Sequence, residues 1–476
     1  LTLYKGNIPV KYGTRASSVM DVGLNQWSRK KVNFYGGIGL VNSNLGLKTK
    51  LLDDKLDIHV GGRRSYSDWM FSLVPNEDIL NSSAWFWDGN LIARYVADDQ
   101  NTFSLSTYAS RDYFKFSDKI IYRIDAQNGS FEWNHLFNNG WTTTSTFIFS
   151  NLSNSASGIE VNEKYDLTNG ITQLGFSQGL NLSYGTGDLD LGVEANQYEM
   201  SPGEIDPVGT SNVIAEELQM EQYRDLSFFT GYNIELFDHL RLNPGVRYTI
   251  FQRMGAATLN EYAPGESLNS NTVIGQREYG SSEVISTYNR LEPRLGLTYS
   301  WKNNSINLGY SRTNQYLHLI ANTALINPIS IWRGSDNFIQ PTQIDQYSIG
   351  YEVELKNGIS LSVESYYKMM DNLIDYKDAA ELVLNEELEQ AIIAGEGTSY
   401  GFEFLLSKPQ GAFKGWLAYS YTRAFIQTDD GNESINDGER YPYYSDRPHN
   451  IQLNTNYQLT KKWSMGLNFV YLTGAP

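Results

Sequence analysis

The sequence predicts an all-β chain folded as a transmembrane antiparallel β-barrel, and three observations predict it. Apolar and polar residues alternate with period two through most of the chain, as strands with unlike faces require. Short turns alternate with long polar stretches, so every long connection falls at the same end of the strands. Among 476 residues there are 33 Tyr, 21 Phe and 10 Trp, the residues that crowd the two edges of a membrane barrel.

The alternation is clearest near the C-terminus. Ile451, Leu453, Thr455, Tyr457 and Leu459 share one face, and Asn450, Gln452, Asn454, Asn456 and Gln458 the other. A turn at Thr460-Lys461-Lys462 leads to Met465, Leu467, Phe469 and Tyr471, which alternate with Ser464, Gly466, Asn468 and Val470. A second hairpin sets Tyr347, Ile349, Tyr351, Val353 and Leu355 against Gln346, Ser348, Gly350, Glu352 and Glu354. Its turn carries Asn357-Gly358, a pair that accepts positive φ. It returns through Ile359, Leu361, Val363, Ser365 and Tyr367. Upstream, Leu240, Leu242, Val246, Tyr248 and Ile250 oppose Arg241, Asn243, Arg247 and Thr249.

Nine short turns are expected near Asp54, Asp99, Asn139, Gly187, Asp238, Asn303, Asn357, Gln410 and Lys461. Long loops are expected over Ser201 to Gln222, Gln252 to Glu283, Leu325 to Gln343, Met370 to Thr398 and Ile426 to Arg447. Two strands per hairpin give about 18 strands. Outer-membrane barrels have this asymmetry, with short periplasmic turns and long outward loops. Closing the sheet with its apolar face in lipid satisfies both backbone and side chains. Trp27, Tyr35, Trp141, Trp301, Tyr457, Trp463 and Tyr471 are expected in the interfacial girdles. Glu352, Glu354, Arg294, Arg241 and Arg247 are expected to face the lumen, where they must meet water or a plug, since such a lumen is too wide for side chains to fill.

Composition excludes several chemistries. With 37 Lys and Arg against 54 Asp and Glu, the net charge is −17, which argues against nucleic acid as a partner. Cysteine is absent, which removes disulfides, thiol nucleophiles and Cys-ligated metal. The five His lie far apart, and His318 and His449 read as structural hydrogen-bonding residues. No catalytic arrangement, cofactor or metal site is called for, and Gly36-Gly37-Ile38-Gly39 lacks the following helix a nucleotide site needs. The acidic stretch Asp429 to Glu439 reads as a solvated loop rather than a calcium loop. Asp371 to Glu396, with Leu382, Glu386 and Gln390 at helical spacing, predicts a short helix in an outer loop.

The first 22 residues do not read as barrel. Lys5-Gly6, Pro9, Tyr12-Gly13, Ser17-Ser18-Val19 and Asp21 resemble the last part of the plug domain in TonB-dependent outer-membrane receptors. Further segments resemble the same family in order: Gly62-Arg63-Arg64-Ser65-Tyr66, Tyr108-Ala109-Ser110-Arg111-Asp112, Leu291-Glu292-Pro293-Arg294, Gln315-Tyr316-Leu317-His318-Leu319, Gln346-Tyr347-Ser348-Ile349-Gly350, Ser399-Tyr400-Gly401-Phe402-Glu403 and Asp446-Arg447-Pro448-His449-Asn450. None is specific alone, and together they resemble Bacteroidota-like receptors across nearly the whole chain.

The resemblance implies residues 1–25 as the C-terminal end of the plug domain and 26–476 as receptor barrel. It implies 22 strands, of which about four at the C-terminus would lie beyond this sequence, together with the TonB box and most of the plug. It also implies import of a metal chelate, vitamin, glycan or peptide into the periplasm, with the TonB complex and outer-membrane lipid as partners. A passive porin-like or structural barrel is the alternative, and a surface adhesin or soluble β-enzyme stands further off.

Lys5, Lys11 and Arg15 of the tail are expected to pair with lumen carboxylates such as Glu352 and Glu354. Ligand candidates are Arg64, Tyr66, Trp332, Arg333, Tyr443 and Tyr444, because aromatic faces beside cations stack on and charge-pair with chelates, glycans or peptides.

Overall fold

The computed structural model describes residues 2–16, 18–22, 31–321, 329–429 and 433–476. Trp27, Asp430 to Asn432 and the Leu325 loop boundary lie outside the described residues. One large antiparallel sheet in barrel order dominates. It contains twenty-one segments among the described residues. Two of them, Glu216–Glu217 and Tyr441–Pro442, are two-residue pieces, which leaves nineteen full strands where the pattern gave about 18. Each full strand pairs with the next in sequence, from Val32–Ile38 through Ser464–Leu472. These two end strands are exposed along their whole length, and no register of paired residues joins them among the described residues.

The registers confirm the alternation. Ile451 lies opposite Tyr471, Leu453 opposite Phe469 and Tyr457 opposite Met465. Tyr347 lies opposite Tyr367, and Tyr351 opposite Val363. Directly opposite residues share a face, so this apolar set forms one surface. It is the exposed surface: Ile349, Tyr347, Leu291, Leu295 and Phe469 are all open. In water that would be a large liability, whereas in hydrocarbon it is the satisfied side. Among the described residues no helix is long and apolar enough to cross a membrane; the strands do the crossing.

All nine expected turns occur at one end. Tyr184 and Gly187, for example, are paired across Gly185-Thr186, and Asn357 takes the left-handed φ of 65°. An aromatic belt follows just above them, with Phe103 stacked 6.5 Å from Tyr95, 6.1 Å from Phe131 and 6.3 Å from Trp133. Tyr299 stacks on Trp301 at 5.5 Å. Tyr35 departs from the girdle expectation. It lies in the row of Gly46 and Gly61, which continues to Asn90 on the lumen face, and its hydroxyl meets His59 Nε2 at 2.6 Å. A missing Cβ lets that ring turn inward: one on Gly46 would sit 2.2 Å from it.

The opposite end differs from expectation. Strands Tyr165–Tyr184 and Gly187–Pro207 have 20 and 21 residues. At about 3.3 Å per residue they reach about 65 Å, twice a bilayer core. Strands therefore extend into stretches read as loop. Between Met370 and Thr398 there is no α-helix. Strand Ser360–Tyr376 continues, a three-residue 3-10 turn covers Leu388–Gln390, and strand Ile392–Lys408 begins. Burial overrode propensity. Leu382, Leu388 and Ala391 are consumed in a core with Ile320 and Ile331, Asn385 accepts from the Glu387 amide, and Ala379 and Leu384 take positive φ. Two small hairpins also form in the loops, Ala257–Tyr262 with Val273–Tyr279 and Leu317–Ile320 with Ile331–Gly334.

Candidate functional site

The lumen is occupied at two levels. At the lower level lies the tail, residues 2–16. Its strand Thr2–Tyr4 pairs with Val19–Asp21, and the Tyr12 hydroxyl donates to Asp21 at 2.9 Å. The segment between them is pressed to the wall. Arg294 Nη1 donates to the carbonyls of Ile8 at 3.2 Å and Pro9 at 2.7 Å. Arg247 donates to the Lys11 carbonyl at 3.3 Å and to Glu194 at 2.7 Å. Gln346 donates to the Lys5 carbonyl at 2.8 Å. Glycines permit the approach: a Cβ on Gly13 would stand 2.2 Å from Arg247 Nε, and one on Gly245 2.3 Å from Val10 Cγ1.

Both arginines are buried, yet each keeps an anion: Arg294 meets Glu292 at 3.1 Å, with side chains 2% and 0% exposed. A buried guanidinium so paired keeps its charge, so the Nη groups aimed at the tail carbonyls make charge-assisted bonds, while the Nε of each arginine finds no acceptor among the described residues.

One of the three tail cations pairs with a lumen carboxylate, though a different one from those named. Lys5 pairs with Glu403, not with Glu352 or Glu354. Lys11 lies 5.0 Å from the Tyr12 ring centroid. Arg15 donates to the Thr14 carbonyl at 3.1 Å and has no carboxylate partner among the described residues. The wall thus supplies most of the grip, through arginines donating to tail carbonyls.

At the upper level the segment around hairpin Leu317–Ile320/Ile331–Gly334 folds inward. Tyr316 and Leu317 complete a core with Tyr198, Met200, Tyr223 and Phe251. Beside it sits an ionic knot. Arg253 pairs with Asp336 and, at 3.3 Å, with Glu221. Arg333 meets the same Glu221 at 3.1 Å. The Tyr223 hydroxyl also donates to Glu221, at 2.8 Å, and Asp336 accepts the amides of Phe338 and Ile339 at 2.8 Å each. His318 meets Ser335 Oγ at 3.1 Å, and burial pushes its pKa down to about 4, so the ring is neutral. Beyond the knot, Tyr262 donates to Glu389 at 2.7 Å; burial lifts the Tyr262 hydroxyl to about 12 and raises the Glu389 carboxyl.

The ligand candidates scatter. Arg333 is buried in the knot, and Trp332, half-buried, packs on the Tyr198 core. Tyr443 and Tyr444 do meet, with ring centroids 4.2 Å apart. Burial raises the Tyr443 hydroxyl, while Tyr444 stays 47% exposed. Arg64 lies over Trp85 at 5.5 Å, in the row of Trp87 and Arg111 on the outward face. Tyr66 donates to the Gly39 carbonyl at 2.5 Å. Tyr444 presents the more open ring at the long-loop end; Tyr66 is 37% exposed there with its hydroxyl tied to Gly39. Arg253 belongs to a signal the pattern did hold: Arg247, Thr249, Phe251 and Arg253 are one buried row. Glu221 and Asp336 carried none, because only the tertiary fold brings them there.

A lipid-facing barrel whose lumen holds both an N-terminal segment and inward loops is the class of plugged outer-membrane barrels. Residues 71–475 match the family described as TonB dependent receptor-like, beta-barrel, and the chain belongs to that family, an outer-membrane receptor and transporter family. No curated protein sequence matches it. Among solved structures it is similar to the alcaligin outer-membrane receptor FauA of Bordetella pertussis, at 12% identity, TM-score 0.66, 99% of this chain and 74% of that one. It is also similar to the ferric-catecholate import receptor Fiu of E. coli, at 14% identity, TM-score 0.66, 98% and 75%. A third likeness is the copper transporter OprC, at 11% identity, TM-score 0.69, 98% and 71%. At these identities the likeness is one of fold.

Proposed function

We propose that this protein imports a scarce ligand into the periplasm using energy delivered by the TonB complex, with residues 1–25 as the end of its plug domain and the rest as barrel. The observation that carries the reading is the tail held against the lumen wall by Arg294 and Arg247 through backbone carbonyls. Such bonds hold a movable segment without covalent attachment, and each contributes only about 1.5–3 kcal/mol. A passive pore has no use for a segment across its lumen. Among the candidate classes (metal chelate, vitamin, glycan and peptide), the similar structures named for alcaligin, ferric catecholates and copper favour a metal chelate. Tyr444, backed by Tyr443, is the proposed first contact at the mouth.

The test is accumulation of radiolabelled iron from a panel of ferric chelates, in cells carrying the full-length protein as their sole receptor of this kind. Import that stops when the proton gradient is collapsed, or when TonB is deleted, supports the reading. Accumulation that survives both treatments makes the protein a passive barrel.

A further inference from the structure

Along the wall built by strands Asn101–Phe116, Ile120–Leu136, Thr142–Gly158 and Tyr165–Tyr184, the polarity of the two faces reverses with height. In the membrane band the outward face is apolar, with Leu105, Phe131, Phe147 and Phe176 in one row. The lumen face there is polar, with Ser106 opposite Ser130 and Asn128 opposite Ser150. Toward the long loops the outward face turns polar. Arg111 lies opposite Asp125 and donates to it at 2.6 Å, and the next outward row holds Arg123, Ser155 and Thr168. An ion pair facing outward marks the end of the hydrocarbon. From that level upward the lumen face becomes apolar instead: Phe114 lies opposite Tyr122 and Phe116 opposite Ile120. Parity fixes their side, because the row of Phe114 and Tyr122 continues through Ala156 to Leu167, both buried inward.

Lipid does not account for these inward rings, yet Phe114 and Phe116 are 40% and 39% exposed. Phe114 stacks on Tyr122 at 6.5 Å, nearly parallel. With Phe86 and Ile124 they line a hollow of about 280 Å³. An apolar surface left open to water marks a binding surface, and this one contains a charge. Asp112 also lines the hollow, directly opposite Phe86 on one side and Ile124 on the other. Its carboxylate has neither a hydrogen bond nor an ion pair among the described residues. Arg63 lies within electrostatic range, but it is engaged by Asp88 at 2.7 Å and lies over the Phe86 ring at 4.8 Å. Burial in the hollow, and then the neighbouring Asp88, hold the Asp112 carboxyl above its ordinary pKa, as an uncompensated carboxylate requires.

We propose that this hollow receives an organic cation, an ammonium or guanidinium carried on a flat apolar body, with the charge on Asp112 and the body against the Phe114 and Tyr122 rings. Aromatic faces attract cations through their quadrupole, and the carboxylate adds a charge-assisted hydrogen bond. An anion would meet Asp112 and Asp88 together, and a neutral ring would desolvate Asp112 without pairing it. The hollow lies just under the range of a whole-ligand site, about 300–1,000 Å³, so it takes one group of a larger molecule. The inference rests on the import reading only in making the imported ligand the source of that group.

The test is binding of two small probes to the full-length protein in mild detergent, read by fluorine NMR: para-fluorophenethylamine, which is protonated at neutral pH, and the neutral para-fluorophenethyl alcohol. Neither TonB nor a proton gradient enters this assay, so import can fail while the hollow stands, and the reverse. Wild type should bind the amine at least fivefold tighter than the alcohol. Asp112→Asn should bring the two within twofold of each other, and Phe114→Ala should weaken the amine at least threefold, both with heat-modifiable gel mobility unchanged. Asp125→Asn removes a carboxylate from the outward face of the same wall and should leave the preference within twofold of wild type. The proposal is overturned by equal binding of the two probes to wild type, by a preference that survives Asp112→Asn, by an equal loss of preference in Asp125→Asn, or by no saturable binding of the amine.

Discussion

Replacing Arg253 with Met should release the inward hairpin Leu317–Ile320/Ile331–Gly334 while leaving the barrel intact. The Arg253 side chain is 5% exposed, and it stands between the Glu221 and Asp336 carboxylates, each 2% exposed. Removing one partner of a buried ion pair costs about 3–5 kcal/mol, because it leaves a buried charge without compensation. Here the residual charges are partly served. Asp336 keeps the amides of Phe338 and Ile339, and Glu221 keeps Arg333, so the lower end, about 3 kcal/mol, applies. Against this stands burial of Tyr316 and Leu317, which contributes about 1.5–3 kcal/mol each, less the ordering cost of the loop. A loss of about 3 kcal/mol is therefore comparable with the whole docking energy, and it multiplies the undocked fraction by about 100. Hydrogen–deuterium exchange of the full-length protein in detergent reads this directly. Amides of the hairpin should lose protection by about two orders of magnitude, and those of strand Tyr165–Tyr184 should not change. Hairpin protection within threefold of wild type would refute the reasoning.

Three further outcomes are expected. Arg294→Met should free the tail, since it removes two carbonyl bonds and leaves the fully buried Glu292 without its guanidinium. Faster exchange at residues 6–12 with unchanged heat-modifiable mobility checks this. Lowering the pH should weaken hairpin docking through His318, whose folded pKa lies near 4. The undocked ring binds a proton from about pH 6.5 downward and the docked ring does not, so stability falls between about pH 6.5 and 4 and is flat above. Glu389, with its carboxyl raised by burial, works in the opposite direction, so His318→Gln is compared with wild type: its hairpin exchange should lose most of the pH dependence. Finally, Tyr444→Ala should weaken ligand binding about three- to tenfold, the size of one aromatic stack, as measured by equilibrium binding of the chelate taken up in the import assay; Tyr66→Ala should change it less than twofold.

Barrel strands were legible because their physics is local. A strand with lipid on one side and a wet lumen on the other must alternate, and the hairpins at Asn357 and Lys461 show it residue by residue. Turn positions were legible for the same reason, since short connections need residues such as Asn357-Gly358. What the long-loop side would do was not legible. Leu382 and Leu388 sit in a sequence that favours helix, yet their burial against Ile320 and Ile331 decides the conformation, and that contact spans about sixty residues of chain. The site was legible in halves. Arg247 and Arg294 could be turned inward by parity, but which side would grip the tail could not be known, because the acceptors are backbone carbonyls and carry no sequence mark. Arg64 looked like a loop cation and lies on the lipid side because its strand runs further than its composition suggests.

The most direct test of the account is whether the tail must leave the wall for import to occur. None of these 476 residues is cysteine, so Gly6→Cys with Ser348→Cys is made with any cysteine elsewhere in the full-length protein replaced by serine; a Cβ at position 6 would lie 2.9 Å from that of Ser348, and a slight widening brings the pair to disulfide distance. Iron accumulation is measured in cells carrying this variant of the full-length protein, before and after reduction. The account requires accumulation to be lost while the disulfide is closed and restored when it is reduced. Unchanged accumulation with the disulfide closed would contradict it.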